Sequence, residues 1–242
     1  MSRTPRLPSA LLEQATAPYR PLGSFAWRFA RGKLGGDPAF ANLLQRGLIP
    51  PHARVLDIGC GQGLMAALLG SLSGASPAER AWPAGWAPPP AGAQVHGIEL
   101  MPRDVERARQ ALAHLGDRAR FTLGNMCTTE FTPADAVVIL DVLHYVDYAA
   151  QDDVLRRVKA ALAPGGVLLL RVGDAAAGLP FKISNWVDAM VLLARGHGIA
   201  RLYCRPLAEW QAQLQALGFA VETLPMHAGT PFANILLVAR RT

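Results

Sequence analysis

The sequence has 242 residues, of which 51% are apolar and 17% are charged, and its formal net charge is +6. This length favours one large domain over two, and the apolar share excludes a disordered chain. Residues 1–54 hold 8 cations and 2 anions, whereas residues 55–242 hold 16 of each. A uniformly basic nucleic-acid-binding protein is therefore disfavoured.

Patterns typical of a metal site, a secretion signal or a membrane span are absent from the sequence. The three cysteines form neither a CxxC pair nor a Cys/His zinc spacing, so we expect no metal and a reducing, cytoplasmic compartment. The N-terminal stretch lacks the apolar run of a signal peptide, and no apolar stretch is long enough to cross a bilayer.

Residues 1–50 are predicted to form a helical cap around a Gly- and Arg-containing middle. The elements predicted in the first part of the chain are helices at 9–17 and 38–47, a strand at 54–58 and a helix at 62–70. Residues 71–94 contain five prolines and two tryptophans, Trp82 and Trp86, and fit neither element type. Because unstructured loops of this length are uncommon in compact domains, they are predicted to be a loop insertion.

Beyond the insertion, strand and helix patterns alternate, and residues 51–242 are predicted to form one domain. Strands are predicted at 95–100, 119–123, 136–140, 167–172, 219–224 and 234–239. Helices are predicted at 103–115, 151–162, 181–195 and 207–217. This alternation predicts an α/β fold with a Rossmann-like, doubly wound sheet of seven strands. Only a hairpin-length segment separates the last two strands, so the last strand is predicted to be antiparallel.

A glycine cluster follows the first strand, in the run Asp57-Ile58-Gly59-Cys60-Gly61-Gln62-Gly63. Glycines let the backbone turn sharply and approach a ligand closely. The spacing is GxGxG rather than GxGxxG, and Leu64 stands where a dinucleotide-binding loop needs Gly or Ala. The cluster therefore predicts a ligand-binding loop, with a tight turn that binds nothing as the alternative.

Glu99 ends the second predicted strand and is the second candidate binding residue. A carboxylate in this position can accept hydrogen bonds from both hydroxyls of a ribose. It lies 42 residues after Asp57, where about 20 are usual, and the insertion accounts for the excess. The alternative is a solvated carboxylate at a strand end.

These features together resemble the class I S-adenosylmethionine-dependent methyltransferases, over about residues 54–239. Two further runs support the resemblance, Leu140-Asp141-Val142-Leu143-His144-Tyr145 after the fourth strand and Leu162-Ala163-Pro164-Gly165-Gly166 before the fifth. The closing hairpin matches the reversed seventh strand of that family.

The resemblance implies S-adenosyl-L-methionine as the cofactor. It puts the glycine loop on the methionine part, Glu99 on the ribose, Leu100 on the adenine ring, and Asn125 on the adenine amino group, where Asp is commoner. Asp141 or its backbone would face the methionine end. The residues assigned to the cofactor are Asp57, Gly59, Gly61, Gly63, Glu99, Leu100, Asn125, Met126 and Asp141.

His144 is the candidate general base, because the resemblance puts it near the acceptor and its ordinary pKa is near neutral. Tyr145 is the second catalytic candidate. A base is needed only if the acceptor must lose a proton, so a histidine that merely packs beneath the cofactor is the alternative.

The acceptor is predicted to be a small or lipid-like molecule. Enzymes of this fold that methylate exocyclic amines of bases carry Asn/Asp-Pro-Pro-aromatic after the fourth strand, where this chain has Asp141-Val142-Leu143-His144. None of the cysteines stands where a cytosine C5 enzyme needs its catalytic cysteine. Both the N-terminal segment and residues 179–203 are apolar enough to cap an aromatic or acyl pocket, with plain core packing as the alternative.

A weaker resemblance points to methyltransferases of bacterial polyketide and aryl polyene-type pathways, and hence to secondary metabolism. It suggests an acceptor carried by an acidic acyl carrier protein, which a basic cap would steer. Three alternatives stay open: a non-catalytic S-adenosylmethionine-binding or interaction protein, a nicotinamide-dependent oxidoreductase, and a membrane-surface enzyme anchored by residues 22–34. The oligomeric state is left undetermined.

Overall fold

The computed structural model describes residues 5–73, 82–173, 202–226 and 234–242. It separates into two compact units, Met1–Val138 and Ile139–Thr242. The predicted helix at 181–195 lies outside the described residues, and so does most of the predicted cap at 179–203.

The N-terminal segment contains three α-helices and one 3₁₀ helix. They are α1 (Ser9–Thr16), the 3₁₀ helix Ala17–Leu22, α2 (Ser24–Gly36) and α3 (Pro38–Gln45). The sequence prediction missed α2, because several glycines lower its helix propensity. The helix forms nonetheless, since Ala26, Ala30 and Leu34 recur every four residues and make a buried stripe that packs toward α1 and the 3₁₀ helix.

Seven strands form one mixed sheet in the order β3-β2-β1-β4-β5-β7-β6. Their bounds are β1 Arg54–Ile58, β2 Gln94–Glu99, β3 Ala119–Leu123, β4 Ala134–Leu140, β5 Leu162–Gly173, β6 Phe219–Pro225 and β7 Asn234–Arg241. In the first unit β2 pairs in parallel with β1 and β3, and in the second unit β7 is antiparallel to β5 and β6. The predicted α/β sheet with a reversed last strand is confirmed.

The helices that alternate with the strands are close to their predicted positions. They are α4 (Leu64–Gly70), α5 (Pro102–Leu112), α6 (Tyr148–Ala161) and α7 (Leu207–Ala216), with 3₁₀ turns at Ala113–Arg118 and Leu143–Tyr145. Helix α6 begins three residues before its predicted start, because the Asp147 carboxylate caps it by accepting from the Ala150 amide at 2.9 Å. Strand β5 begins at Leu162 rather than 167, since extended backbone follows directly on the end of α6.

The described parts of the insertion, 71–73 and 82–93, contain no helix or strand. The rings of Trp82 and Trp86 meet edge to face at 5.5 Å, and the Trp82 indole donates to the Ala87 carbonyl at 3.0 Å. The Ala87 amide in turn donates to the Gln45 carbonyl at 2.9 Å. The two tryptophans therefore fold this segment on itself, and Ala87 attaches it to the end of α3.

Candidate cofactor and active site

The glycine loop between β1 and α4 requires its glycines for two different reasons. Gly59, Gly61 and Gly63 have φ values of 76°, 54° and 78°, in the left-handed region that side chains disfavour. A Cβ on Gly63 would also come within 2.9 Å of the Phe121 ring. Gly97 lets the glycine loop approach β2 closely, because a Cβ at this position would lie 2.6 Å from the Cys60 sulfur.

Glu99 connects the glycine loop to the turn after β2. Its buried carboxylate accepts from the Gly61 amide at 2.9 Å through Oε2 and from the Met101 amide at 2.9 Å through Oε1. Each carboxylate oxygen retains a second lone pair for a ligand hydroxyl. The sequence predicted a ligand-binding carboxylate here, but its second task, fixing the loop by a backbone hydrogen bond, was not predicted.

Asp57 is a buried carboxylate at the end of β1, only 6% exposed. Burial and then the nearby Glu99 charge raise the pKa of Asp57 to about 7. Burial also raises the pKa of the adjacent Cys60 thiol, which keeps that cysteine protonated and unreactive. Two close carboxylates favour a cationic ligand, and S-adenosylmethionine carries both an ammonium and a sulfonium group, so the residues fit the expected cofactor.

The predicted adenine-binding residues follow β2 and β3. Leu100 is 56% exposed, so its apolar side chain is accessible to a ligand. The Gly124 amide donates to the Glu99 carbonyl at 2.9 Å, which brings the turn after β3 to the end of β2. Within that turn the exposed Asn125 accepts from the Cys127 amide at 2.9 Å through Oδ1, and half-buried Met126 follows it. The Asn125 carbonyl keeps one lone pair for an adenine amino group.

In the second unit, Asp141 follows β4 in a strained backbone conformation. Its φ is 58°, a region that Asp tolerates better than most residues. Arg171 of β5 holds the carboxylate with two hydrogen bonds, Nε to Oδ1 at 2.8 Å and a second from NH2 to Oδ2. The Arg171 side chain is only 1% exposed. Sequence reasoning missed Arg171, although a single arginine within an apolar strand was a signal for a buried ion pair.

His144 and Tyr145 lie in the 3₁₀ turn after Asp141, with their ring centroids 4.3 Å apart. Burial lowers the pKa of His144, and the Asp141 charge only partly opposes that effect. The imidazole is therefore neutral at pH 7 and able to accept a proton. The His144 carbonyl accepts from the Tyr203 amide at 2.9 Å.

A buried polar network attaches residues 202–206 to the loop that carries His144. Gln151 of α6 donates to the Val146 carbonyl at 3.0 Å and the Tyr203 carbonyl at 2.8 Å. Arg205 donates to the Gln151 side-chain oxygen at 3.0 Å and the Tyr148 carbonyl at 3.0 Å. Sequence reasoning missed this network, because the contacts that Tyr203 and Arg205 make in it span more than 50 residues.

The N-terminal segment contacts the glycine loop directly. The Tyr19 hydroxyl, fully buried, donates to the Gln62 carbonyl at 2.7 Å. Two of the cations predicted to make the cap basic, Arg20 and Arg31, both pair with Glu13. Phe25 is 66% exposed and stacks on Phe29 at 6.3 Å.

No helix among the residues that the structure describes has both the length and the apolar character needed to cross a bilayer. Within the same residues, His, Cys, Asp and Glu side chains form no group of three or more that could hold a metal ion.

Comparison with known proteins decides the family. A family model described as "Methyltransferase domain" matches residues 27–224, which is more than half of the chain. The chain belongs to this methyltransferase family. The resemblance to class I methyltransferases is thereby confirmed, and S-adenosylmethionine is the cofactor of that class. The match favours a methyltransferase over the nicotinamide-dependent alternative.

Three proteins illustrate how similar this methyltransferase is to known proteins in sequence and in structure. Carboxy-S-adenosyl-L-methionine synthase of Chromohalobacter salexigens is 31% identical over 121 residues, which are 49% of this chain and 39% of that protein. Ubiquinone biosynthesis O-methyltransferase of Xanthomonas axonopodis pv. citri is 25% identical over 210 residues, 85% of this chain and 79% of that protein. The structure of mitomycin 7-O-methyltransferase is similar with a TM-score of 0.59 and 25% identity, over 96% of this chain and 60% of that one. The chain thus spans less than two thirds of the first and third of these proteins.

Proposed function

We propose that this methyltransferase transfers a methyl group from S-adenosylmethionine to an oxygen atom of a small-molecule acceptor. One observation carries the proposal. In a chain of the methyltransferase family, the glycine loop after Asp57 is hydrogen-bonded to Glu99 through the Gly61 amide. Oxygen as the acceptor atom is supported by two of the three relatives, which are named as O-methyltransferases.

Contacts and burial support proposed roles for several of the predicted cofactor residues. Glu99 accepts from the ribose hydroxyls with the lone pairs that its two backbone donors leave available. Asp57 neutralises positive charge at the methionine end, and Leu100 packs against the adenine ring. The glycines, with their left-handed backbone conformations and no side chains, allow the cofactor to approach the loop closely.

When bound, the cofactor supplies an activated methyl group on its sulfonium. The protein's main contribution is to hold an acceptor oxygen in line with that methyl group. His144 is the proposed general base: neutral at pH 7, it takes the hydroxyl proton at a ring nitrogen and later returns it to solvent. Tyr145, in ring contact with His144, is the second candidate.

The acceptor class is proposed from the apolar composition of two segments of the sequence. Residues 1–50 and 179–203 are proposed to cap an aromatic or acyl acceptor. Secondary metabolism is the proposed source of that acceptor. An acidic carrier protein as a partner has less support than the sequence suggested, because Glu13 already pairs with Arg20 and Arg31. A small free acceptor is therefore favoured.

Two linked measurements test the proposal. Isothermal titration calorimetry with S-adenosylhomocysteine should show one-site binding, and no heat at millimolar ligand would refute the cofactor assignment. Incubation with methyl-labelled cofactor and a panel of phenols, catechols and hydroxy acids, followed by mass spectrometry, should then give an O-methylated product. Labelled products methylated only on carbon would refute the choice of oxygen.

A further inference from the structure

The glycine loop uses most of its own hydrogen-bond donors within the protein. The Gly59 and Cys60 amides both donate to the Ile98 carbonyl, at 2.8 Å and 3.2 Å. The Gly61 amide donates to Glu99 at 2.9 Å, and the Gly63 amide donates to the Cys60 carbonyl at 2.9 Å. A loop whose amides are occupied in this way offers few donors to an anionic ligand group.

Gln62 is the polar side chain of this loop, and its side-chain oxygen accepts no hydrogen bond from the part of the chain that the structure describes. The residue is 4% exposed, and its Oε1 atom is buried with no hydrogen-bond partner among the residues that the structure describes. A buried acceptor left in this state is costly, so such atoms usually mark the place of a water or a ligand donor.

Tyr19 fixes the backbone at Gln62. Its hydroxyl donates a hydrogen bond to the Gln62 backbone carbonyl at 2.7 Å, and its side chain is completely buried. On either side of Gln62, Gly61 and Gly63 have left-handed backbone conformations, which glycine adopts readily. The tyrosine hydrogen bond adds a restraint on the backbone between them from the N-terminal segment.

Three side chains supply acceptor oxygens around this loop. Asp57 and Glu99 are buried carboxylates close enough to interact electrostatically, and Gln62 adds a carbonyl oxygen. The amino-acid end of the cofactor carries one ammonium group and one carboxylate. Acceptors and negative charge favour the ammonium group and disfavour the carboxylate.

We propose that the Gln62 side-chain carbonyl binds the ammonium group of the cofactor's amino-acid end, and that Tyr19 is a positioning residue that holds Gln62 for this contact. The proposal deepens the proposed function and rests on it. It adds two residues that neither the glycine spacing nor the family resemblance assigned to the cofactor.

Three nucleoside ligands separate the groups that Gln62 could contact. S-Adenosylhomocysteine has both ammonium and carboxylate, S-adenosyl-3-thiopropylamine has the ammonium alone, and 5′-methylthioadenosine has neither. Calorimetry should show that Gln62→Met weakens the first two about tenfold or more, the loss expected for a hydrogen bond to a charged group, and leaves the third unchanged. Tyr19→Phe should show the same pattern with a smaller loss, and it keeps the test available if Gln62→Met does not fold.

The exposed Gln94 at the start of β2 provides a matched control, since Gln94→Met makes the same chemical change away from the loop. It should leave all three affinities at their wild-type values. Equal weakening of methylthioadenosine by Gln62→Met, unchanged affinity for all three ligands, or weakening of S-adenosylhomocysteine alone would each overturn the inference. Failure of the wild-type protein to bind any of the three would instead overturn the proposed function.

Discussion

Proton release on cofactor binding is the most direct consequence of the buried carboxylate Asp57. Burial and the Glu99 charge raise the pKa of Asp57 to about 7 in the ligand-free protein. A cationic ligand group beside this carboxylate stabilises its ionised form and lowers that pKa. Binding of S-adenosylhomocysteine should therefore release about half a proton at pH 7 and about 0.9 at pH 6.

The same linkage fixes the direction and size of the pH dependence. Because the ligand binds the ionised form, affinity should rise about tenfold between pH 6 and pH 8 and level off above that. Calorimetry in phosphate and in imidazole, which both buffer near pH 6.5 and differ in ionisation enthalpy, measures the protons released from the difference in apparent binding enthalpy.

Two variants make this measurement decisive. Asp57→Asn should abolish the proton release and flatten the pH dependence. Asp135→Asn is a matched control. Asp135, near the start of β4, forms an ion pair with Arg54, and this pair lowers the pKa of Asp135. This variant should keep the wild-type linkage. Equal heats in both buffers at pH 6.5 for the wild-type protein would refute the reasoning.

The other predictions concern three further features of the site. His144→Ala should lower kcat about 10²- to 10⁴-fold and leave the Kd for S-adenosylhomocysteine unchanged, as stopped assays and calorimetry would show; full activity would mean that the histidine only packs. Glu99→Ala should weaken the same ligand by about 1.5–3 kcal/mol, measured by calorimetry, and an unchanged Kd would contradict its binding role. Asp141→Asn should lower the free energy of unfolding in urea by about 3–5 kcal/mol, more than Arg171→Met does, because it removes the carboxylate charge that accepts two hydrogen bonds from the fully buried guanidinium; equal losses would contradict the asymmetry.

The sequence predicted those parts of the site that depend on short spacings. The glycine loop and Glu99 could be found because a strand, three alternate glycines and a strand-end carboxylate lie in a recognisable order. Strand positions followed from apolar runs, since the structure has all seven strands where they were predicted, apart from the early start of β5.

The parts that the sequence could not predict depend on contacts between distant residues. Helix α2 carries glycines that lower its propensity, and it is stabilised by burial of one stripe against its neighbours. Arg171 finds its partner 30 residues away, and Arg205 finds Gln151 at a distance of 54 residues. No local pattern distinguishes these side chains from solvated ones until the strands and helices are packed.

The position of β7 has a consequence for synthesis of the chain. β6 is an edge strand whose neighbour in the sheet is β7, and β7 pairs on its other side with β5. Domains generally fold as units during synthesis. On the side that faces β7, residues 162–173 and 219–225 therefore stay unpaired until residues 234–241 have left the ribosome, and unpaired strand edges favour aggregation.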